Sequence, residues 1–158
     1  MPLKNTLYDR DFYAWANTQA ELLRAGRLSE ADLDNIAEEI ESMGRSEKRE
    51  LVSRLTVLLH HLLKWQFQSE LRSRSWERTI GEQRLQIDDH LADNPSLEPK
   101  IPDVVAQAYR RALGAFADET KLDPETCPQT CAWTVLQIMS KDFLPQAEER
   151  QSPARRAS

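Results

Sequence analysis

Three groups of side chains in this sequence have the types and spacing to do chemistry. The first combines carboxylates with guanidinium and imidazole groups: Glu38, Glu39 and Glu41, with Arg54, His61 and Arg84 farther along. A pocket built from them would move protons or hold a polar ligand, because an imidazole titrates near neutrality and charged neighbours shift that titration. The second is basic and aromatic: Lys64, Arg72, Arg74 and Arg78, with Trp65 and Trp76 among them. Guanidinium groups beside indole rings and a helix N-terminus suit a phosphate, a carboxylate or a stacked base. The third holds the metal-ligand types: His60-His61 within a run of leucines, His90, and the pair Cys127 and Cys131 in CPQTC.

Each group has a plainer structural alternative. Adjacent histidines sit about 100° apart on a helix and do not share one ion as an i, i+4 pair does. No H-x-x-x-H, E-x-x-H or H-E-x-x-H pattern occurs, so neither a metal nor another cofactor is expected; His61 is expected to be packed and His60 solvated. Two cysteines are too few for a zinc site, and reduced thiols are the default. The arginines of the second group also suit tethers to acidic residues of neighbouring helices, with the tryptophans in the core. No nucleophile motif and no glycine-rich phosphate loop is present.

The elements that must position these groups are helical. Four glycines against eight prolines and few β-branched runs lean toward helix. Asp9 or Asp11 can cap a first amphipathic helix carrying Phe12, Trp15, Ala16, Leu22 and Leu23, with Gly26 as its stop. Ser29 with Asp32 resembles a capping box for a long helix, continuous or kinked at Gly44, running to about Gln68. Its first part shows Leu33, Ile36, Ile40 and Met43 toward a core, and its second part has an apolar arc about 160° wide around Leu55, Leu58, Leu59, Leu62 and Leu63. After a polar connector, Ser73 or Ser75 caps a helix returning antiparallel, with Trp76, Ile80, Ile87 and Leu91 as its stripe and Arg84 near the stripe's centre.

A buried guanidinium needs a partner, and the nearest rich source is the Glu38, Glu39 and Glu41 group, with Arg54 as the alternative recipient. A further helix starts near Ile101 or Pro102 and carries Val104, Val105, Ala108, Tyr109, Ala112 and Phe116. A last short one carries Trp133, Leu136, Ile138 and Met139. The expectation is an all-α bundle of about five helices in one domain over residues 1–145, with a tail from 146 to 158 that lacks apolar anchors.

The net charge of −5 is unevenly spread: residues 1–44 carry −5, residues 45–84 carry +4 and residues 85–158 carry −4. Such blocks either pair within one fold or present an anion-binding face, and overall acidity weakens attraction to phosphate backbones, which favours pairing. No apolar run is long enough to span a bilayer and the first residues show no secretory core, so a cytoplasmic protein without membrane contact is expected.

The runs YDRDFYAWANTQAELLRAGRL, LDNIAEEIESMGRSEKREL, SRLTVLLHHLLKWQFQ, RSRSWERTIGEQR, and AYRRAL through DFLP resemble the bacterial domain of unknown function family 29, over about residues 7–145. Glu38, Glu39, Glu41, Gly44, Arg45, Arg54, His61, Lys64, Trp65, Arg72, Trp76 and Arg84 stand at positions matching its motifs; Cys127 and Ala132 depart from its pattern. The resemblance implies an all-helical bacterial protein and supplies no activity and no catalytic residues.

Together these readings favour a noncatalytic module that binds another protein. The alternatives are nucleic-acid or phosphate-ligand binding through Lys64, Arg72, Arg74 and Arg78, and an enzyme with a polar pocket around His61, Arg54 and the glutamates.

Overall fold

The computed structural model describes residues 6–148, and among them every regular element is helical. The helices are α1 (Leu7–Arg10), α2 (Phe12–Arg24), α3 (Leu33–Phe67), α4 (Arg74–Asp93), α5 (Ile101–Thr120) and α6 (Val135–Met139), joined by short 3-10 turns. The tail expected to lack structure falls, from residue 149 onward, outside the described residues. The chain divides into two compact units, Met1–Ser46 and Glu47–Ser158.

In the first unit the helix ends are set by specific side chains. Asp11 caps α2 by accepting from the Ala14 amide at 3.0 Å. The helix closes in a Schellman turn: the amide of Arg27 returns to the Leu22 carbonyl and that of Gly26 to Leu23, with Gly26 at φ +71° where a side chain would strain. Ser29 does not cap the long helix, because residues 28–30 form a 3-10 turn of their own without a side-chain cap. Asp32 does so instead: its Oδ1 faces the Asn35 amide at 3.4 Å and its carbonyl starts the helical ladder at Ile36. The same carboxylate accepts from Trp15 Nε1 at 3.2 Å and Asn35 Nδ2 at 2.7 Å, while its amide donates to Gln19. These bonds lock α2 against the start of α3 and hold the Asp32 carboxyl below its ordinary value, the Asn35 bond contributing most.

Helix α3 is unbroken through Gly44 for its 35 residues. Within the second unit its leucines from Leu51 to Leu63 and Phe67 are buried, together with Ile80 and Ile87 of α4, most of the inner face of α5, and Ile138 of α6. An arc that broad needs neighbours on more than one side, which α4 and α5 supply. Contacts of Glu47 with His90, Arg54 with Gln86 and Lys64 with Trp76 advance along α3 while retreating along α4, so the two run antiparallel as expected. Ser73 caps α4 through the Trp76 amide, and Thr134 with Gln137 forms a reciprocal capping box at α6. Rings of Phe67 and Phe116 meet edge to face at 6.3 Å.

Candidate functional site

The apolar stripe on the first part of α3 is not core. Ile40 is 63% and Met43 69% exposed, Leu33 is exposed beside them, and on α2 Phe12 and Leu23 are exposed too. Period-3.6 spacing states which side of a helix is apolar, not whether anything covers it, and among the described residues of this unit only Trp15 and Gln19 are buried. The two stripes border a groove of about 370 Å³ between α2 and α3, with Trp15, Ala16 and Ala20 on one wall and Ile36, Ile40 and Met43 on the other. Small residues on the α2 wall keep it open.

Polar groups frame this groove. Glu39 sits half-buried in its lining and accepts from the Tyr8 hydroxyl at 2.5 Å. Ionising Tyr8 would lose that bond beside a carboxylate, which pushes the phenol up to about 12. Glu38 and Glu41 lie exposed on α3 and share Arg45, at 2.9 and 3.8 Å.

The residues singled out from the sequence are placed as follows. Glu38, Glu39 and Glu41 belong to the first unit, and Arg54, His61 and Arg84 to the second. The expected pairing of the glutamates with Arg54 or Arg84 is corrected by the partners seen. Arg84 is interior, 4% exposed, but donates Nε to the Ile138 carbonyl and Nη2 to the Phe143 carbonyl, both at 2.8 Å. Backbone carbonyls at the end of α6 are orphaned acceptors, and a planar guanidinium can satisfy two of them at once. Burial lowers its pKa from the ordinary arginine value. Arg54 holds Glu50 Oε1 with two nitrogens, at 2.8 and 3.2 Å, and bonds Gln86. His61 Nδ1 faces the Val57 carbonyl at 2.8 Å, one turn back.

The basic group is divided in the same way. Lys64 is not turned away from the bundle: it is 4% exposed, bonded to Glu119 at 3.2 Å and 4.6 Å from the Trp76 ring centre. A second neighbour, α5, reaches the side of α3 that the leucine arc leaves open, and that is what covers it. His60, expected to be solvated, is half-buried with Nε2 2.8 Å from Glu119 Oε2, close but poorly aligned for a hydrogen bond. Burial first, then Lys64, lowers its pKa, and burial lowers that of His61. Arg72 stacks on Trp65 and donates to the carbonyls of Trp65 and Pro145. Arg74 and Arg78 are exposed and form no ion pair among the described residues. Two of the four basic groups are thus tied to partners within the chain, Lys64 to the exposed Glu119, and Arg72 with Arg84 straps the segment 138–145 onto the bundle.

Both thiols are kept protonated by burial, which pushes Cys127 up to about 11 and raises Cys131. Among the described residues no helix is long and apolar enough to cross a membrane.

A family model described as "Domain of unknown function DUF29" matches residues 7–144 of the chain. No curated protein and no solved structure matches it.

Proposed function

Because the chain belongs to the DUF29 family, whose description assigns no activity, its function has to be read from its own surface, and we propose that it is a noncatalytic module that binds another protein through the α2/α3 groove. The observation that carries this reading is the exposed seam of Phe12, Leu23, Ile40 and Met43, with Ile36 half-buried among them, beside a groove large enough for side chains. Contiguous exposed apolar surface on a soluble hairpin is costly to maintain and marks interaction sites. The groove runs along two helices, which suits an amphipathic helix laying anchors at i, i+3 or i+4 and i+7 between them.

Charge selects the partner. Residues 6–46 hold four basic against nine acidic side chains, and Arg45 is already shared between Glu38 and Glu41. A helix flanked by Lys and Arg is drawn to such a rim, whereas a second copy of this hairpin would bring like charge against like. The basic alternative is supported less, since Lys64 and Arg72 are already bonded within the chain, to Glu119 and to the Trp65 carbonyl.

The test uses two labelled 20-residue amphipathic helices with the same leucine face, one flanked by Lys and Arg and one by Glu. Fluorescence anisotropy is expected to show saturable, salt-weakened binding of the basic helix alone, abolished by Ile40→Asp in a protein whose helicity is unchanged. Equal binding of both helices, or binding indifferent to Ile40→Asp, would overturn the reading.

A further inference from the structure

We propose that Glu47, Glu50 and His90 form a binding site for a divalent transition-metal ion of the zinc type, in the second unit and independent of the α2/α3 groove. The sequence spacing is Glu47-x-x-Glu50 on α3, with His90 on the antiparallel α4. Glu47 and Glu50, three apart, share a face of α3, and His90 meets that face from the antiparallel α4, as carboxylates and histidines from facing helices do in the metal sites of helical bundles. One donor atom each from Glu47, Glu50 and His90 lies within 4.8 Å of the others. Glu50, His90 and Asp93, with Asp89, Gln86 and Arg54, line a cleft of about 320 Å³.

The histidine is the telling member. His90 is 8% exposed, and its Nε2 lies 2.8 Å from the Glu47 main-chain carbonyl. A carbonyl only accepts, so this nitrogen carries hydrogen, and in the neutral imidazole Nδ1 then presents a lone pair. That lone pair stands 3.8 Å from Glu50 Oε2, too far for a hydrogen bond. A cation seated between these two electron-pair donors would be held by both. Ligands at about 2.0–2.2 Å from a tetrahedral ion stand roughly 3.4 Å apart, close to what is seen. A ring nitrogen donating to a backbone carbonyl is also how ligating histidines are held in orientation.

The surroundings agree. Arg54 clamps Glu50 Oε1 with Nε and Nη2 and leaves Oε2 toward His90, fixing the carboxylate. The cleft is lined by the carboxylates of Glu50, Asp89 and Asp93 with the cation of Arg54, and Glu47 adds a carboxylate beside His90. A nitrogen ligand with carboxylates suits Zn²⁺ or its neighbours and not Mg²⁺ or Ca²⁺, which prefer all-oxygen sites. The competing reading needs no metal: Glu47 Oε2 lies 3.6 Å from His90 Nε2 and Glu50 Oε2 3.8 Å from Nδ1, close enough for direct pairing of carboxylate with imidazole.

Titration calorimetry of the full chain with Zn²⁺ separates the two. The expected result is one saturable Zn²⁺ per chain and no response to Mg²⁺. Glu50→Gln, a change at a partly exposed side chain, should weaken the site by about 10–100-fold, and His90→Gln by at least as much. His60→Gln should leave it unchanged, and ¹⁵N spectra should show Zn²⁺ moving the His90 Nδ1 signal. No saturable uptake, or uptake that survives Glu50→Gln, as binding to Cys127 and Cys131 would, overturns the proposal.

Discussion

The same 35-residue helix has two different surroundings. Along residues 51–67 its apolar side chains are buried in a cluster of twenty-one apolar residues, and the charged groups that enter the interior there, Lys64 and Arg84, are bonded to definite partners. Along residues 33–43 Leu33, Ile40 and Met43 lie open, the hairpin it forms with α2 is locked by the bonds around Asp32, and only two of that unit's described side chains are buried. One stretch has the composition of a core and behaves as one; the other has a similar 3-4 pattern and is left uncovered. On the function proposed above, the difference separates what holds the second unit together from what the first offers to a partner.

The contrast is broken or sharpened first by truncation at matched positions. Leu58→Ala removes a fully buried side chain and should cost about 2–5 kcal/mol, whereas Ile40→Ala should change stability by no more than about 0.5 kcal/mol. Chemical denaturation of both variants checks this, and similar losses would erase the distinction between the two stretches.

Next in size is the strap. Arg84→Ala strips two backbone carbonyls of their donor and should cost about 1.5–3 kcal/mol, with faster amide exchange over residues 138–145. Arg84→Lys should not restore it, because a single ammonium lacks the planar fork that reaches both carbonyls.

The smallest effect is set by acid. His60 and His61 have pKa values lowered by burial, so between the ordinary histidine value near about 6.5 and the lowered folded values the unfolded chain binds more protons than the folded one. Their contribution to stability is present above that window and is lost as pH falls through it. The double variant His60→Gln/His61→Gln should therefore show a flatter stability curve between about pH 7 and 5 in denaturation series, and a slope equal to that of the unsubstituted chain would contradict the assignment.

These outcomes also explain what could be read without coordinates. The helices, the caps at Asp11 and Ser73, the antiparallel α3–α4 pair and the interior place of Arg84 follow from periodicity and capping chemistry, both of which are local. The partner of Arg84 does not, because it lies in backbone carbonyls more than fifty residues away that carry no side-chain signature. The cover that α5 gives Lys64 and His60 does not follow either, because it depends on tertiary packing. The α2/α3 groove was hidden in the same way: its residues read as core because their pattern is that of core.

The most direct measurement on the groove is photo-cross-linking from position 43, with a benzophenone side chain in place of Met43, carried out in the cells the protein comes from and followed by sequencing of the captured segment. The account predicts that the segment is an amphipathic helix flanked by Lys and Arg from a different protein, and that capture disappears when Ile40→Asp is added. Cross-links to a second copy of this chain, or to nothing that Ile40→Asp abolishes, would contradict it.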